Sequence, residues 1–487
     1  MSSHTLSQPA SRLFFASTVA LAGLLAVLVV GQAQADDTPA AAPDSVNLQE
    51  LQQKVLILER KLEVKDEEAA TKAADAPKFT AGPDGFVFKS ADEAFQLKWR
   101  GLLQVDYRDF IDGQDTGSQR TYLSRYPNNF PGTFLLRKVR PSFDVTLYKY
   151  ASFRIVPDFG GGSTTLLDAY GELALWPEFK LRAGKFTAPL GIERLQSAND
   201  NFFVEYGLTS NLSRNRDLGA QVSGDLFNEA FSYTVGVFNG GVDGANKDND
   251  STSHKDIVGR LFTLPFKNGN IELLRNLGVG ISGSWGKHWG DSVNTSLPVY
   301  RTPGQNTFFS YRSGARDSLT AQAKGTYYSL LPQGYWFYGS FGLLGEYAYS
   351  SQEAWIPKSK TAGKSPQEAR SWLATASYVV TGESPSYKGL KPRHPLAADG
   401  SGFGALELVA RAGQLSADEN NTFPAFADST KSAREATSIG AGINWYLNRA
   451  VKWTFDYEWT KFKGGNRVTI NDRDEEKVLT TRLQFAY

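Results

Sequence analysis

The amino-acid sequence predicts an all-β transmembrane barrel of 16 antiparallel strands with an inward-folded third loop, preceded by a short N-terminal coiled-coil helix. Three observations predict it. The N-terminus carries an export signal, an alternation of apolar and polar side chains runs from about Phe86 onward, and that alternation divides into sixteen segments. Composition excludes several other classes. The 487 residues include 46 Gly, 31 Phe, 21 Tyr and 10 Trp but no Cys, so disulfides and thiolate metal or redox sites are ruled out. The 52 Lys+Arg balance 51 Asp+Glu, which argues against a nucleic-acid partner. The mean hydropathy of −0.35 disfavours a helical membrane bundle but not a barrel, whose polar inner face dilutes the average.

Residues 13–30 form the only long apolar run. Arg12 precedes it, Ala33-Gln34-Ala35 closes it with the small-x-small pattern of a signal-peptidase site, and Asp36 follows. Residues 1–35 therefore read as a signal peptide cleaved after Ala35. An uncleaved anchor is the competing reading, because the run nearly reaches the length of a bilayer span. Export places the chain in the cell envelope, and a barrel there belongs in the outer membrane of a Gram-negative cell.

Residues 36–85 read as linker and short coiled coil. Leu48, Leu51, Val55, Leu58 and Leu62 recur at spacings of three and four, the seam of a heptad repeat, within residues 44–65. Two heptads are marginal alone, so the helix reads as an oligomerisation stub; a lone solvated helix is the plainer alternative. Residues 66–77 are charged, Ala-rich and end at Pro77, a linker composition.

Residues 86–487 read as the barrel. In the first long segment Phe95, Leu97, Trp99, Leu103, Val105 and Tyr107 share one face, and Gln96, Lys98, Arg100, Gln104, Asp106 and Arg108 the other. Expected strands lie near 94–109, 134–148, 150–160, 165–176, 179–187, 217–227, 230–239, 255–265, 276–288, 316–329, 335–350, 369–381, 403–415, 434–447, 451–463 and 476–487. The number is even, as bacterial single-chain barrels require. Very short links such as 228–229 and 448–450 alternate with long polar ones such as 110–132, 240–254, 289–315 and 464–475. Closure is required because a bilayer offers no water to an open sheet edge. In the last strand Leu479, Thr481, Leu483, Phe485 and Tyr487 point outward together. Trp285, Trp289, Tyr335, Trp336, Tyr347, Tyr349, Trp453 and Trp459 lie near strand ends and fit interfacial girdles.

A barrel of this size encloses a water-filled bore, so function lies in its lining. On the expected register Lys98, Arg100, Arg108, Lys138, Arg140, Arg154 and Arg182 point inward, and so do Asp106, Asp144, Asp158, Asp168 and Glu172. Basic side chains cluster in the first third of the barrel, and rows of Arg and Lys favour anions. The alternative for each is a cross-strand salt bridge that only braces the wall. The segment 187–215 is too long for a hairpin and not uniformly polar: Leu190, Ile192, Leu195, Phe202, Phe203, Val204 and Leu208 need a surface to bury against. Such a loop folds into the bore and narrows it. Arg194, Arg214 and Arg216, with Glu193, Asp200 and Glu205, are then expected at the narrowest point.

The run LRKVRPSFDVTLYKYASFRIVPDFGGG, then LLDAYGELAL, LRAGKFTAPLGIERLQSANDNFFVEYGL and RDLGAQVSG, resembles the phosphate-selective porin O/P family. FGLLGEYAYSSQE, SWLATASYVVTGE and SYKGLKPRHP are similar to further segments of it. The resemblance covers roughly residues 86–487. It implies a sixteen-strand homotrimeric porin set in outer-membrane lipid, its third loop inside. It also implies small anionic solutes, phosphate or polyphosphate, passing down an arginine ladder to a lysine-containing eyelet. This sequence departs from that pattern. No lysine lies between Lys185 and Arg216, and Arg194, Arg214 and Arg216 supply the positive charge there.

Other signals are weak. Gly278-Val279-Gly280-Ile281-Ser282-Gly283 matches a dinucleotide-binding spacing but opens no helix. His254, His288 and His394 are isolated, and Asp243, Asp248 and Asp250 lack the spacing of a calcium loop. No cofactor or catalytic set is expected, and no G-x-S-x-G context supports an envelope hydrolase. The sequence thus points to a channel for passive diffusion of small anions. A general or sugar-passing porin is the alternative.

Overall fold

The structure, a computed structural model, describes residues 48–82, 85–111, 132–248, 253–314, 320–357, 363–466 and 472–487. The expected signal peptide and the start of the linker lie outside them. The chain divides into two units, residues 1–70 and 71–487.

Helix α1 (Leu48–Ala74) accounts for the described part of the first unit. It runs nine residues past the expected coiled coil, because Glu67, Glu68, Ala69 and Ala70 are strong helix formers and no Gly or Pro intervenes before Pro77. Glu50–Lys54 and Arg60–Glu63 pairs, each 2.9 Å, brace its surface. The heptad residues stay exposed, from 47% for Val55 to 73% for Leu48.

The second unit is a closed antiparallel barrel. A hairpin of β1 (Lys78–Gly82) and β2 (Gly85–Lys89) comes first. The wall begins with β3 (Phe95–Phe110), β4 (Thr133–Leu147), β5 (Ala151–Asp158), β6 (Thr165–Trp176) and β7 (Phe179–Thr187). It continues through β8 (Arg216–Leu226), β9 (Phe231–Phe238), β10 (Asp256–Thr263) and β11 (Leu277–Trp289). A small hairpin, β12 (Val299–Arg301) and β13 (Thr307–Ser310), stands apart from the wall. The wall resumes with β14 (Gln322–Tyr338), β15 (Phe341–Trp355), β16 (Ser365–Val379) and β17 (Ala405–Ala417). It ends with β18 (Ala433–Tyr446), β19 (Val451–Gly464) and β20 (Glu476–Ala486). Omitting the two hairpins leaves sixteen strands. β20 pairs with β3 from Val478↔Phe110 to Ala486↔Leu102, and Gly101 and Tyr487 exchange two 3.1 Å backbone bonds beyond it. Below that point β2 takes over the same edge of β3, with Phe86 opposite Trp99.

The strands are inside-out relative to a water-soluble protein. On β19, Trp453, Phe455 and Tyr457 are exposed while Lys452, Thr454, Asp456, Glu458 and Thr460 are buried. On β20, Leu479, Leu483 and Phe485 are exposed while Arg482 and Gln484 are buried. Side chains alternate between the two faces of a strand, so the whole wall offers apolar surface to its surroundings and keeps charge behind it.

Four expectations need correction. The expected strands 316–329 and 335–350 are shifted: β14 runs straight through Leu331-Pro332-Gln333 and turns at 339–340, where Gly339 takes φ 55°. Pro332 sits where the ladder to β15 is interrupted, so its missing N–H leaves no partner wanting. The loop 289–315 is not simply polar, since Tyr300, Phe308 and Phe309 of the β12–β13 hairpin are at most 2% exposed. Among the expected girdle aromatics, Tyr335 packs on the buried side, against Phe262, Phe337 and Tyr387. Links at the short-turn end are also uneven, because 380–404 joins β16 to β17.

Candidate functional site

The segment 188–215 leaves β7 and returns at β8, but its contacts lie across the barrel. Leu190, Ile192, Leu208 and Leu212 are buried to 1% exposure or less. The Ile192 amide donates to Glu346 of β15 at 3.2 Å. Thr209 and Ser371 of β16 share a 3.0 Å hydroxyl contact. Asn444 of β18, Lys452 of β19 and Gln484 of β20 donate to the carbonyls of Phe202, Asn201 and Asn199 at 2.8, 3.0 and 3.1 Å. Gln104 of β3 donates to the Ala198 carbonyl at 3.2 Å. These partners all lie on the buried, polar faces of their strands. The turn into the segment needs Gly191, whose φ is 76° and where a Cβ would meet Ser213 Oγ at 2.5 Å. Two further insertions brace it. Tyr387 of the 380–404 link donates to the Ile192 carbonyl at 2.6 Å, and Asn211 exchanges two 2.9 Å bonds with the Arg301 backbone.

Beside this segment lie three cavities of about 540, 500 and 610 Å³. The first is lined by Lys98, Arg100, Arg154, Asp200, Arg449 and Lys452 among others. The second shares Arg100 and Arg154 with it and adds Arg182, Arg140, Arg194 and Arg216. The third shares those last three and adds Arg137, Lys138 and Arg301. Twelve basic side chains and seven acidic ones line the three together.

Residues 115–487 match the sequence family described as phosphate-selective porin O and P. The chain belongs to that family. Porin O of Pseudomonas aeruginosa is 25% identical over 430 residues, covering 83% of this chain and 91% of that protein. The outer membrane channel DcaP of Acinetobacter baumannii shares the fold with a TM-score of 0.52 at 9% identity, over 84% of this chain and 100% of that one. This is an outer-membrane porin, a channel rather than an enzyme.

The porin's basic residues differ in how far their charge is engaged. Arg140 reaches Asp158 at 2.7 Å, Arg182 reaches Glu172 at 2.6 Å and Arg216 reaches Asp168 at 3.3 Å. Arg100 pairs with Asp144, and Arg154 stands 3.5 Å from Asp144 and 3.9 Å from Asp168. Arg194 donates to the Ser210 carbonyl at 2.6 Å and pairs with no carboxylate among the described residues, and its buried Nε has no hydrogen-bond partner. Lys138 is buried, with its ammonium 6.0 Å from the Tyr206 ring.

Two residues expected with this set lie elsewhere. Arg108 lines none of the three cavities; it donates to the Gly304 carbonyl at 3.0 Å and to Glu205 at 3.2 Å. Arg214 has a fully buried side chain that donates to Asp256 at 2.5 Å and to Ser284 at 3.2 Å. His288 also meets Asp256, at 2.9 Å, and stacks on Tyr327. Arg214 therefore fastens the end of the segment to the wall through Asp256 and Ser284.

Arg137 was missed for the opposite reason. The pairing of β3 with β4 shifts register between Gln104 and Val105, so Arg137 is the extra residue of a bulge. A bulge breaks the two-residue rhythm, which lets Arg137 and Lys138 both reach the third cavity. Arg137 donates to both oxygens of Glu205, at 2.5 and 3.0 Å. Burial alone would raise the Glu205 carboxyl, but Arg137, Arg108 and Arg482 outweigh it and hold its pKa below the usual carboxylate value. Asp200 behaves in the other direction. Burial pushes it up to about 6, against the pull of Lys452 and Lys391. Tyr206, Arg301, Arg449 and Lys452 are further lining residues that no motif announced.

Proposed function

We propose that this porin passes small anions, phosphate-class oxyanions foremost, by passive diffusion along the basic side of its bore. In this reading 188–215 is the inward-folded third loop that narrows the bore. Lys98, Arg100, Arg154, Arg182, Arg140, Arg216, Arg194 and Lys138 are the steps of the path. The observation that carries it is the excess of basic over acidic lining in three cavities that share walls, with Arg194 unneutralised between the second and third. Guanidinium forks suit oxygen-rich anions, and fixed positive charge in a narrow bore repels cations. Arg108 and Arg214 act on the path only by bracing it.

The mature protein is proposed to start after Ala35 and to assemble as a homotrimer, with the exposed heptad stripe of α1 joined across three copies. N-terminal sequencing of protein from outer membranes and chemical cross-linking test these two points. Selectivity is tested by reversal potentials of reconstituted protein in a KCl gradient. An anion-directed potential supports the reading, and a cation-directed one overturns it. A weakly selective general porin is the second reading. It is favoured by the carboxylates that Arg100, Arg140, Arg182 and Arg216 already engage. Block of chloride current by phosphate, absent with maltodextrin, separates the two.

A further inference from the structure

The second and third cavities have five lining residues in common: Arg140, Leu167, Arg194, Tyr206 and Arg216. These five line the junction, or neck, where the two cavities adjoin. Four are guanidinium or aliphatic groups, and Tyr206 alone contributes a neutral hydrogen-bond donor. Its ring is held by cations, with the Arg194 guanidinium 4.7 Å and the Lys138 ammonium 6.0 Å from its centroid. Its hydroxyl makes no hydrogen bond among the described residues, although the ring is only partly exposed. Arg194 beside it has a buried Nε without a partner. The neck therefore holds two donors with nothing to donate to, next to three positive charges and one wall of methyl groups.

We propose that Tyr206 is the residue that discriminates among anions at this neck, its hydroxyl donating to an oxyanion of the phosphate class while Arg194 and its neighbours hold the charge. The proposal rests on the anion-path reading and narrows it. A tetrahedral oxyanion has several acceptor oxygens and spans a guanidinium and a phenol at once. Chloride is a single centre, and it gains little from the second donor.

The test uses the full mature chain in planar bilayers, with inorganic phosphate added to KCl as the probe, and compares the parent with Tyr206→Phe. The variant keeps the ring and its cation contacts and removes only the hydroxyl. Its half-blocking phosphate concentration is expected to rise by roughly tenfold or more, the worth of one hydrogen bond to a charged group. Chloride conductance and KCl reversal potential are expected to move far less than the block does. Equal block of parent and variant overturns the role of Tyr206 alone. A fall in chloride conductance to match the weaker block also overturns it, because the ring's packing would then be responsible. A parent channel that prefers cations and ignores phosphate overturns the anion path together with this refinement of it.

Discussion

At the scale of single residues, what matters is whether a charge is engaged or spare. Arg182 has Glu172 at 2.6 Å and lies over the Tyr170 ring, whereas Arg194 has a carbonyl and the Tyr206 ring but no carboxylate among the described residues. Arg194→Gln should thus lower the anion-to-cation permeability ratio by roughly twofold or more, and the double change Arg182→Gln with Glu172→Gln should alter it less, because the charges of that pair already cancel. Reversal potentials in a KCl gradient read both. Arg214→Gln should leave the ratio alone but destabilise the barrel by about 3–5 kcal/mol, since it strands the buried Asp256 and Asp217 carboxylates. Urea unfolding in detergent measures that cost. Asp200 supplies a pH dependence. Its pKa of about 6 lies above the ordinary value of 3.8, so it is charged at pH 7.5 and neutral at pH 5. The first cavity loses a negative charge on acidification, and anion preference should rise as pH falls through about 6. In Asp200→Asn that step should be missing. For stability the same raised pKa gives a contribution present in acid and lost as pH rises through about 6.

At the scale of elements, the structure shows where a two-residue rhythm is a sufficient guide and where it is not. Long strands such as β16, β19 and β20 could be read directly, because Trp453, Phe455 and Tyr457 alternate with Thr454, Asp456 and Glu458 without a break. The rhythm fails at local exceptions. Pro332-Gln333-Gly334 has turn chemistry but sits mid-strand, because neighbouring strands dictate the register. Arg137 is displaced by a bulge that only its partner strand reveals. The hairpin at 299–310 lay hidden in a stretch read as solvent-facing, although Tyr300, Phe308, Phe309 and Tyr311 gave a compositional signal of burial. That hairpin packs on Phe462 and holds Asn211 of the 188–215 segment. Replacing 299–310 by a short Gly-Ser link should raise single-channel conductance and flicker. An unchanged conductance would show that the hairpin stands clear of the path.

At the scale of the whole molecule, two units divide the work. The barrel closes on itself through β3 and β20, so the conducting wall is complete without α1. Deleting residues 44–65 should leave channels of normal conductance and reduce the yield of oligomer on native gels. Loss of conductance itself would show that α1 contributes to the wall. The fold class and strand number were legible because they follow from alternation. The neck at Tyr206 was not, since it depends on the segment 188–215 folding back against β4 and β6.

The wall is also uneven in height. β5, β9 and β10 have 8 residues each and β14 has 17. At about 3.4 Å per residue and a tilt near 40°, eight residues rise roughly 21 Å and seventeen roughly 44 Å, against an apolar band of about 25 Å. The tall flank therefore exceeds the thickness of the hydrocarbon, and the short one falls below it. Beside β9 and β10 the bilayer must pinch, and that hydrophobic mismatch grows with acyl-chain length. A protein with one short flank and one tall flank is thus sensitive to which lipids surround it, and most comfortable where the short flank is turned away from them.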